Sequence, residues 1–330
     1  MREVVARAPT RIDFGGGWTD VPPYSAEQGG CVCNLAITRH ATVWLRPAAG
    51  GVVVDAAGTL ARGESAAVLA GEGDAALPCA ALRRAGVGGV HLRLRNDFPR
   101  GAGLGGSSAA GVALQGAIAA WRGEQPAREV LAERSRAVEV EELRIAGGSQ
   151  DHYAAALGGA LALRFDDGVR AEHIPLASDL ATALERRCIV AYTGESRISG
   201  ETITAVMDAY RARERRVTAA LARIRTLAEA MIDALARGSV DDLASLVAEH
   251  WEHQRALHPR ISTPGIERVL DLAKRAGAQG GKALGASGGG SVLVIASEER
   301  APAVRGAVAL AAELLPFGID PEGVHVTVDA

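Results

Sequence analysis

A glycine-rich segment at residues 99–109, with the sequence PRGAGLGGSSA, constrains this chain more than any other feature. It places four glycines and two serines between a strand-like run and a helix-like run. Such a loop exposes backbone N–H groups, and the helix that follows adds the positive end of its dipole. The segment therefore predicts a phosphate-binding loop at the start of a helix.

Three kinds of phosphate loop use glycines in this way, and the flanking sequence distinguishes them. A Rossmann loop follows a fully buried parallel strand, whereas residues 90–95 alternate apolar and polar, which predicts a half-solvated, antiparallel strand. A Walker loop ends in Gly-Lys-Ser/Thr, and this loop has no lysine. A protein-kinase loop is followed by a catalytic Asp-Asn pair and an Asp-Phe-Gly motif, and neither follows here.

Two further motifs lie near the ends of the chain. Residues Arg7–Asp20 read RAPTRIDFGGGWTD, and residues Gly285–Ser291 read GASGGGS. The three motifs in this order resemble the GHMP kinase superfamily, which includes galactokinase, homoserine kinase and mevalonate kinase. Within it, GGWTDVPPY at 16–24 and GSQDHYAAALGG at 148–159 resemble the sugar anomeric kinases, the D-glycero-D-manno-heptose 7-phosphate kinases and the L-fucokinases.

Composition sets bounds on partners and location. The 330 residues carry a net charge of −3 without a basic stripe, so we do not expect nucleic acid as a partner. No apolar run reaches the roughly 18 residues of a membrane span, and the N-terminus has no signal-peptide core. Cys31 and Cys33 have the wrong spacing for a zinc site, and His250 and His253 are better explained by a helix facing the cleft. We expect free thiols, a cytoplasmic location, and a monomer or homodimer.

The periodicity predicts strands at 4–8, 42–46, 51–55, 161–165 and 188–192. A helix should begin at Ser107 or Ser108 with a serine as its N-cap and end at Trp121. Further helices are predicted at 127–146, 200–236, 240–257, 265–276 and 301–315, with a hairpin at 280–295 and a closing strand at 325–328.

The resemblance implies an α+β fold with two domains. These would be an N-terminal domain like ribosomal protein S5 domain 2, at residues 1–185, and a ferredoxin-like C-terminal domain at 186–330. The change from strand-rich to helical character after Tyr192 is in keeping with this boundary. The active site is then expected between the two domains.

For the nucleotide, the resemblance implies ATP with Mg²⁺. The predicted nucleotide-binding residues are Pro99, Gly101, Gly103, Leu104, Gly105, Gly106, Ser107 and Ser108. In the family the second serine of the pair binds Mg²⁺, which assigns Ser108 to the metal and Ser107 to phosphate. Of the three glutamates on the following helix, Glu139 fits the metal position best, and Glu141 is the alternative.

Asp151 is the predicted catalytic residue, because it lies in a glycine-rich turn that matches the catalytic aspartate of the family. Its role would be to accept or orient the proton of a sugar hydroxyl. Arg11 matches the arginine beside that aspartate and would stabilise charge on the transferred phosphoryl group. We therefore assign Asp151 and Arg11 to catalysis.

For the substrate, Asp20 in the first motif is the expected acceptor of sugar hydroxyls. Trp18 could stack on the sugar or pack in the core, and both alternatives remain open. The other predicted substrate-binding residues are Thr19, Tyr153, Gly288 and Gly289, with Tyr24 as a weaker candidate. Serines at 287 and 291 depart from the Gly-Ala-Gly-Gly-Gly-Gly-Phe that many relatives have in the C-terminal loop.

Together these residues predict an ATP-dependent sugar kinase acting on the anomeric hydroxyl. Trp18 favours an L-fucokinase, whereas the absence of an attached nucleotidyltransferase domain favours a heptose 7-phosphate kinase. A distal phosphate would need a cation, for which Arg39 and Arg197 are candidates. A kinase of another alcohol and a non-catalytic sensor of sugar and ATP are the competing hypotheses, and the intact Asp151 block counts against both.

Overall fold

The computed structural model describes residues 3–195 and 200–329. The strands are β1 (Glu3–Gly15), β2 (Gly30–Pro47), β3 (Val52–Ala56), β4 (Thr59–Gly63), β5 (Val90–Asn96), β6 (Ala160–Phe165), β7 (Arg170–Ile174), β8 (Cys188–Tyr192), β9 (Ala278–Ala283), β10 (Ser291–Ala296), β11 (Glu313–Leu314) and β12 (His325–Asp329). The helices are α1 (Tyr24–Gln28), α2 (Ala76–Ala85), α3 (Gly106–Trp121), α4 (Arg128–Ala137), α5 (Gln150–Leu157), α6 (Ser178–Arg187), α7 (Gly200–Arg211), α8 (Arg215–Ala236), α9 (Val240–Leu257), α10 (Pro264–Arg275) and α11 (Ala301–Val308).

Strand β1 lies within the larger sheet and carries the first motif at its end. In the described part of the chain this sheet has eight strands in the order β12-β1-β2-β5-β3-β4, with β6 also pairing β2 and β7 pairing β6. β1 and β2 run antiparallel, so that Asp13 lies opposite Asn34. The first residues of β1 alternate in burial and the later ones are buried continuously, because helices from both halves of the chain, including α3 and α8, pack against it.

Helix α3 is almost wholly buried beneath the larger sheet, as its small residues allow. Gly111 lies against Ser135 of α4, and Gly116 lies against Val324 and Val326 near the end of the chain. The predicted serine N-cap is wrong: Gly105 occupies that position with φ 75°, and no side chain caps the helix. Both serine hydroxyls are thereby left for contacts outside the helix.

The predicted helix at 127–146 is shorter in the structure. It ends as α4 at Ala137, and a π-helical turn at Val138–Glu142 follows, with irregular backbone up to α5. The apolar residues of this stretch fit a helical face only loosely, which agrees with its early end. π-Helical turns are frequent at functional sites, and this one carries Glu139.

The second half of the chain packs helices on the smaller sheet, whose described strands have the order β11-β8-β10-β9. The predicted helix at 200–236 is two helices, because Arg213 in the connection has φ 57°. The predicted helix at 301–315 ends at Val308 and gives way to β11. The predicted hairpin is confirmed as β9 and β10. Ser239 caps the start of α9, because its hydroxyl accepts a bond from the Asp242 N–H.

The α+β fold class is confirmed, and so are the five predicted strands. The boundary at residue 185 stays a prediction. The smaller sheet starts at β8, just after it, but β12 returns to the larger sheet and pairs with β1. Among the described helices, none combines the length and the apolar character that crossing a membrane requires.

Candidate active site

The three glycine-rich motifs meet at the start of α3. The Arg11 N–H donates to the Leu104 carbonyl at 3.0 Å, which joins the end of β1 to the phosphate loop. On its other side, the Ser291 N–H donates to the Ala102 carbonyl at 2.8 Å. The loop at 99–109 is therefore held between the first motif and the C-terminal motif.

The phosphate loop takes its shape from left-handed glycines. Gly101, Gly103 and Gly105 have φ of 70°, 73° and 75°, a region that side chains disfavour. A Cβ on Gly106 would lie 2.3 Å from the Phe98 ring, so this position is limited by space as well. The loop leads straight into the first turn of α3, whose N–H groups have no partner within the helix. This geometry is suited to binding phosphate.

The structure brings the two predicted catalytic residues together. The Arg11 Nε and Nη2 each lie 2.7 Å from Asp151 Oδ1, and Arg11 Nη1 donates to the Gly103 carbonyl at 2.8 Å. The Arg11 side chain is buried, whereas that of Asp151 keeps 25% of its surface exposed. A Cβ on Gly105 would lie 3.0 Å from the Asp151 carboxyl carbon. Asp151 is therefore a reachable carboxylate beside the phosphate loop.

Asp20 lies in the same corner and is buried. Its Oδ2 accepts the N–H of Gln150 at 3.1 Å, at the start of α5. Gly148 leaves room for it, since a Cβ there would lie 1.8 Å from Asp20 Oδ2. Burial raises the pKa of Asp20 to about 6. Repulsion by the charges of Asp151 and Asp13 also raises it, whereas the hydrogen bond from Gln150 lowers it. Asp20 and Asp151 thus form a pair of carboxylates in different surroundings.

Glu139 contacts Ser107 directly and Ser108 only through His152. Its carboxylate accepts a hydrogen bond from the Ser107 hydroxyl, and its Oε2 lies 3.1 Å from His152 Nε2. The same histidine nitrogen is 3.3 Å from the Ser108 hydroxyl. The pKa of Glu139 is lowered overall. Burial by itself raises it, but the hydrogen bonds from His152 and Ser107 and the charge of His152 lower it by more. Glu141 instead pairs with Arg84 at 2.7 Å and is exposed.

This donor set fits a hard divalent cation. Ser108 and Glu139 offer one hydroxyl and one carboxylate, and Mg²⁺ takes such oxygens together with phosphate and water. Within 3–195 and 200–329, no group of three or more His, Cys, Asp or Glu could hold a metal ion by itself. A cation bound here would therefore depend on nucleotide phosphates for part of its shell.

Three predicted substrate-binding residues are buried, and their side chains have partners within the protein. Trp18 is 5% exposed, has φ 83° and packs in an apolar cluster with Val21 and Tyr24, so the packing alternative describes it. The Thr19 hydroxyl donates to the Gly16 carbonyl at 2.7 Å and accepts the Cys31 N–H. The Tyr153 hydroxyl donates to Glu133 on α4. Spacing along the motif could not reveal these directions.

The C-terminal loop is tied down by its own backbone. The Gly288 N–H donates to the Ile261 carbonyl, and the Gly290 N–H donates to the Glu195 carbonyl at 2.7 Å. Gly289, with φ 133°, packs against Glu195. Ser287, one of the two departures from the family pattern, accepts a bond from Gln254 Nε2 at 2.9 Å. The loop reaches the site through the bond from the Ser291 N–H to Ala102, and the N–H groups of Gly288, Gly290 and Ser291 are thereby already used.

Sequence reasoning missed a buried ion pair and the role of His250. Lys282 Nζ lies 3.0 Å from both the carboxylate and the carbonyl oxygen of Asp13. His250 Nε2 accepts the Gly16 N–H at 3.0 Å, and burial lowers the pKa of this histidine well below its usual value. Arg39 donates to the carbonyls of Pro316 and Asp97. Arg197 lies outside the described residues.

Comparison with known proteins identifies the class that this site belongs to. The model of the GHMP kinases N terminal domain matches residues 74–159, and that of the GHMP kinases C terminal domain matches residues 231–313. Together they cover just over half of the chain. The chain belongs to the GHMP kinases, and the resemblance drawn from its motifs is confirmed, as is the two-domain fold that it implies.

Several similar proteins carry the names of sugar kinases. The chain is 29% identical to the L-fucokinase/L-fucose-1-P guanylyltransferase of Bacteroides fragilis over 90% of its length, and 26% identical to the bifunctional fucokinase/GDP-fucose pyrophosphorylase of Arabidopsis thaliana over 92%. It spans about a third of these relatives, 35% and 31% respectively. It is 28% identical to the D-glycero-alpha-D-manno-heptose 7-phosphate kinase of Campylobacter jejuni, with 88% of each chain covered.

A solved structure agrees along almost the whole chain. The D-glycero-D-manno-heptose 1-phosphate kinase from Bacteroides thetaiotaomicron superposes with a TM-score of 0.80 at 25% identity, and 98% of each chain is covered. The arrangement of both halves is therefore shared with this sugar kinase.

Proposed function

We propose that this chain is an ATP-dependent sugar kinase that phosphorylates the anomeric hydroxyl of a heptose 7-phosphate or a related sugar. The observation that carries the proposal is the meeting of three groups at the start of α3. These are the phosphate loop, the exposed carboxylate of Asp151 held by Arg11, and the buried carboxylate of Asp20. Kinases with sugar substrates among the relatives support the same class.

The reaction follows from this arrangement. The sugar hydroxyl lies between Asp20, which accepts hydrogen bonds from neighbouring hydroxyls, and Asp151. As the C1 oxygen forms its bond to the γ-phosphorus of ATP, the hydroxyl proton passes to Asp151 and the bond to the β–γ bridging oxygen breaks, releasing ADP. Arg11 lies against Asp151 and the phosphate loop, where its charge stabilises the transferred phosphoryl group. Transfer of this kind depends mainly on positioning and charge.

Mg²⁺ is the expected companion of the nucleotide. Ser108 and Glu139 would hold it, and it would neutralise charge on the phosphates when bound. His152 supports both residues, since it contacts each of them through Nε2 and the Ser135 hydroxyl through Nδ1 at 2.9 Å.

We propose a cytoplasmic location, supported by the need for ATP and by four cysteines that are buried and free.

A free hexose such as L-fucose is the alternative substrate, and the first motif favours it. The sequence GGWTD includes the tryptophan expected of fucokinases. The matches to two fucokinases, over 92% and 90% of this chain, support the same alternative. The two substrates differ in the distal phosphate that only the heptose 7-phosphate carries. Arg39, a candidate for binding that phosphate, already donates to two backbone carbonyls.

Coupled measurement of ADP release over a panel of sugars tests the proposal. The panel holds a heptose 7-phosphate, the free heptose, L-fucose, D-mannose and a 1-deoxy sugar. We expect turnover with one of the first four and none with the 1-deoxy sugar. Phosphorus–proton NMR of the product should show coupling to H1 alone. Coupling to another proton refutes C1 phosphorylation, and sugar binding without any ADP release points to the sensor.

A further inference from the structure

Asp13 and Lys282 form an ion pair that links the two ends of the chain. Lys282 is at 0% exposure and the Asp13 side chain at 3%, although the residues are 269 positions apart. Lys282 Nζ contacts the carboxylate and the backbone carbonyl of Asp13, each at 3.0 Å. Because a buried lysine must be paired to be tolerated, this geometry fixes β9 against the end of β1.

The pair also adjoins the turn that carries Asp20. Gly17 lies against Asp13, since a Cβ on Gly17 would approach Asp13 Oδ2 to 2.4 Å and Gln150 Nε2 to 2.8 Å. Gln150 in turn donates its N–H to Asp20. The second carboxylate oxygen of Asp13 is buried and has no hydrogen-bond partner within the described ranges. Lys282 is thus its main restraint, and movement of Asp13 would reach Asp20 through Gly17 and Gln150.

Lys282 acts on the C-terminal motif as well, because it is three residues before Gly285 on the same strand and loop. Gly285 packs against Gly103 of the phosphate loop. The ion pair therefore connects the turn at 16–20 with the loop at 285–291 beneath the site.

We propose that Asp13 and Lys282 are positioning residues for the sugar, and that their ion pair sets the place of the Gly16–Asp20 turn relative to the C-terminal loop. The inference rests on the proposed function for its kinetic consequence. Its structural consequence is independent of any substrate and can be measured on the free protein.

Hydrogen exchange of the full chain without ligands provides the first test. Lys282→Met keeps the length of the side chain and removes its charge. The amides of Gly16, Thr19 and Val21 are hydrogen-bonded in the turn, so peptides over 15–22 report on it. We expect faster exchange there than in Arg95→Met, which breaks the pair between Arg95 on β5 and Asp55 on β3. Exchange at 15–22 equal to wild type would overturn the inference.

The double variant Asp13→Asn/Lys282→Met separates positioning from stability. Removing both charges leaves no unpaired charge in the interior, so its thermal midpoint should recover towards wild type relative to Lys282→Met. If the ion pair positions the Gly16–Asp20 turn, the KM for the sugar should stay raised by roughly tenfold or more, while the KM for ATP changes less than about twofold. Recovery of the sugar KM together with stability would show a purely structural role and refute the proposal.

The two hypotheses fail in different ways. If wild type shows no sugar-dependent ADP release, the proposed function fails, and exchange at 15–22 still decides the positioning role. If wild type turns over and both variants keep its sugar KM, the proposed function stands and the inference is wrong.

Discussion

Replacing Gly148 with alanine should damage sugar binding through a single added methyl group. A Cβ at this position would lie 1.8 Å from Asp20 Oδ2 and 2.3 Å from its carboxyl carbon. Ordinary contact begins near 3.4 Å, so the carboxylate must move by about 1.6 Å to reach it. A movement of that size breaks the 3.1 Å bond from the Gln150 N–H.

The magnitude follows from the hydrogen bond that the displaced carboxylate no longer accepts from a sugar hydroxyl. A hydrogen bond to a charged group is worth about 1.5–3 kcal/mol, which corresponds to roughly 10- to 150-fold in affinity. We therefore expect Gly148→Ala to raise the sugar KM by this factor. The ATP KM should stay within about twofold, because the phosphate loop contacts Arg11 and Asp151 instead of Asp20.

Gly147→Ala is the matched control, because a Cβ there would have no neighbour within 4 Å. Both variants add one methyl group to the same segment, so they share any effect on loop entropy. The assay is steady-state ADP release with the sugar varied at saturating ATP. Equal sugar KM values for the two variants would refute the geometry described for Asp20.

Other perturbations address the remaining groups. Asp151→Asn should lower kcat by about 10²- to 10⁴-fold with unchanged nucleotide binding, and retention of more than about a tenth of kcat would contradict its role. Ser108→Ala and Glu139→Ala should raise the Mg²⁺ concentration needed for half-maximal rate. Glu141→Ala should not, because Glu141 pairs with Arg84. A shift in Glu141→Ala alone would assign the metal to Glu141 instead of Glu139. Because the pKa of Asp20 is about 6, sugar kcat/KM should fall as the pH falls through 6, and a flat profile would count against ionised Asp20 as the acceptor.

The same pKa makes a prediction for stability. In the folded protein Asp20 binds its proton more tightly than an ordinary carboxyl of pKa 3.8. Asp20 therefore lowers the free energy of unfolding progressively as the pH rises from 3.8 to about 6, and by the full amount above pH 6. This difference in pKa is worth about 3 kcal/mol. Asp20→Asn should raise the free energy of unfolding more at pH 8 than at pH 4, by up to that amount in urea titrations. An equal change at both pH values would contradict the burial of an ionised Asp20.

Sequence was sufficient for the features that a local pattern encodes. The phosphate loop, the strands and the association of Asp151 with Arg11 follow from glycine spacing and from the family motifs. Side-chain direction was harder, because neighbours in a turn face different ways. Trp18 and Thr19 are adjacent to Asp20 in sequence, yet one packs in an apolar cluster and the other bonds to the backbone.

Long-range pairs were also beyond the sequence. Nothing local marks Lys282 as the partner of Asp13, since their meeting depends on how β9 and β1 are brought together by the whole fold. The start of α3 was mispredicted for a related reason. The serines that seemed suited to capping have stronger partners in Glu139 and His152, which come from a distant segment.

Strand β12 has a consequence for how the protein is made. It pairs with β1, so that Val4 lies opposite Val328 and Arg7 opposite His325. During synthesis β1 emerges before β12, and its backbone groups on that edge have no partner until residues 325–329 leave the ribosome. Between these two points the nascent chain carries an open sheet edge. A ribosome stalled after β10 would display this edge, and we expect such nascent chains to bind chaperones or associate with one another.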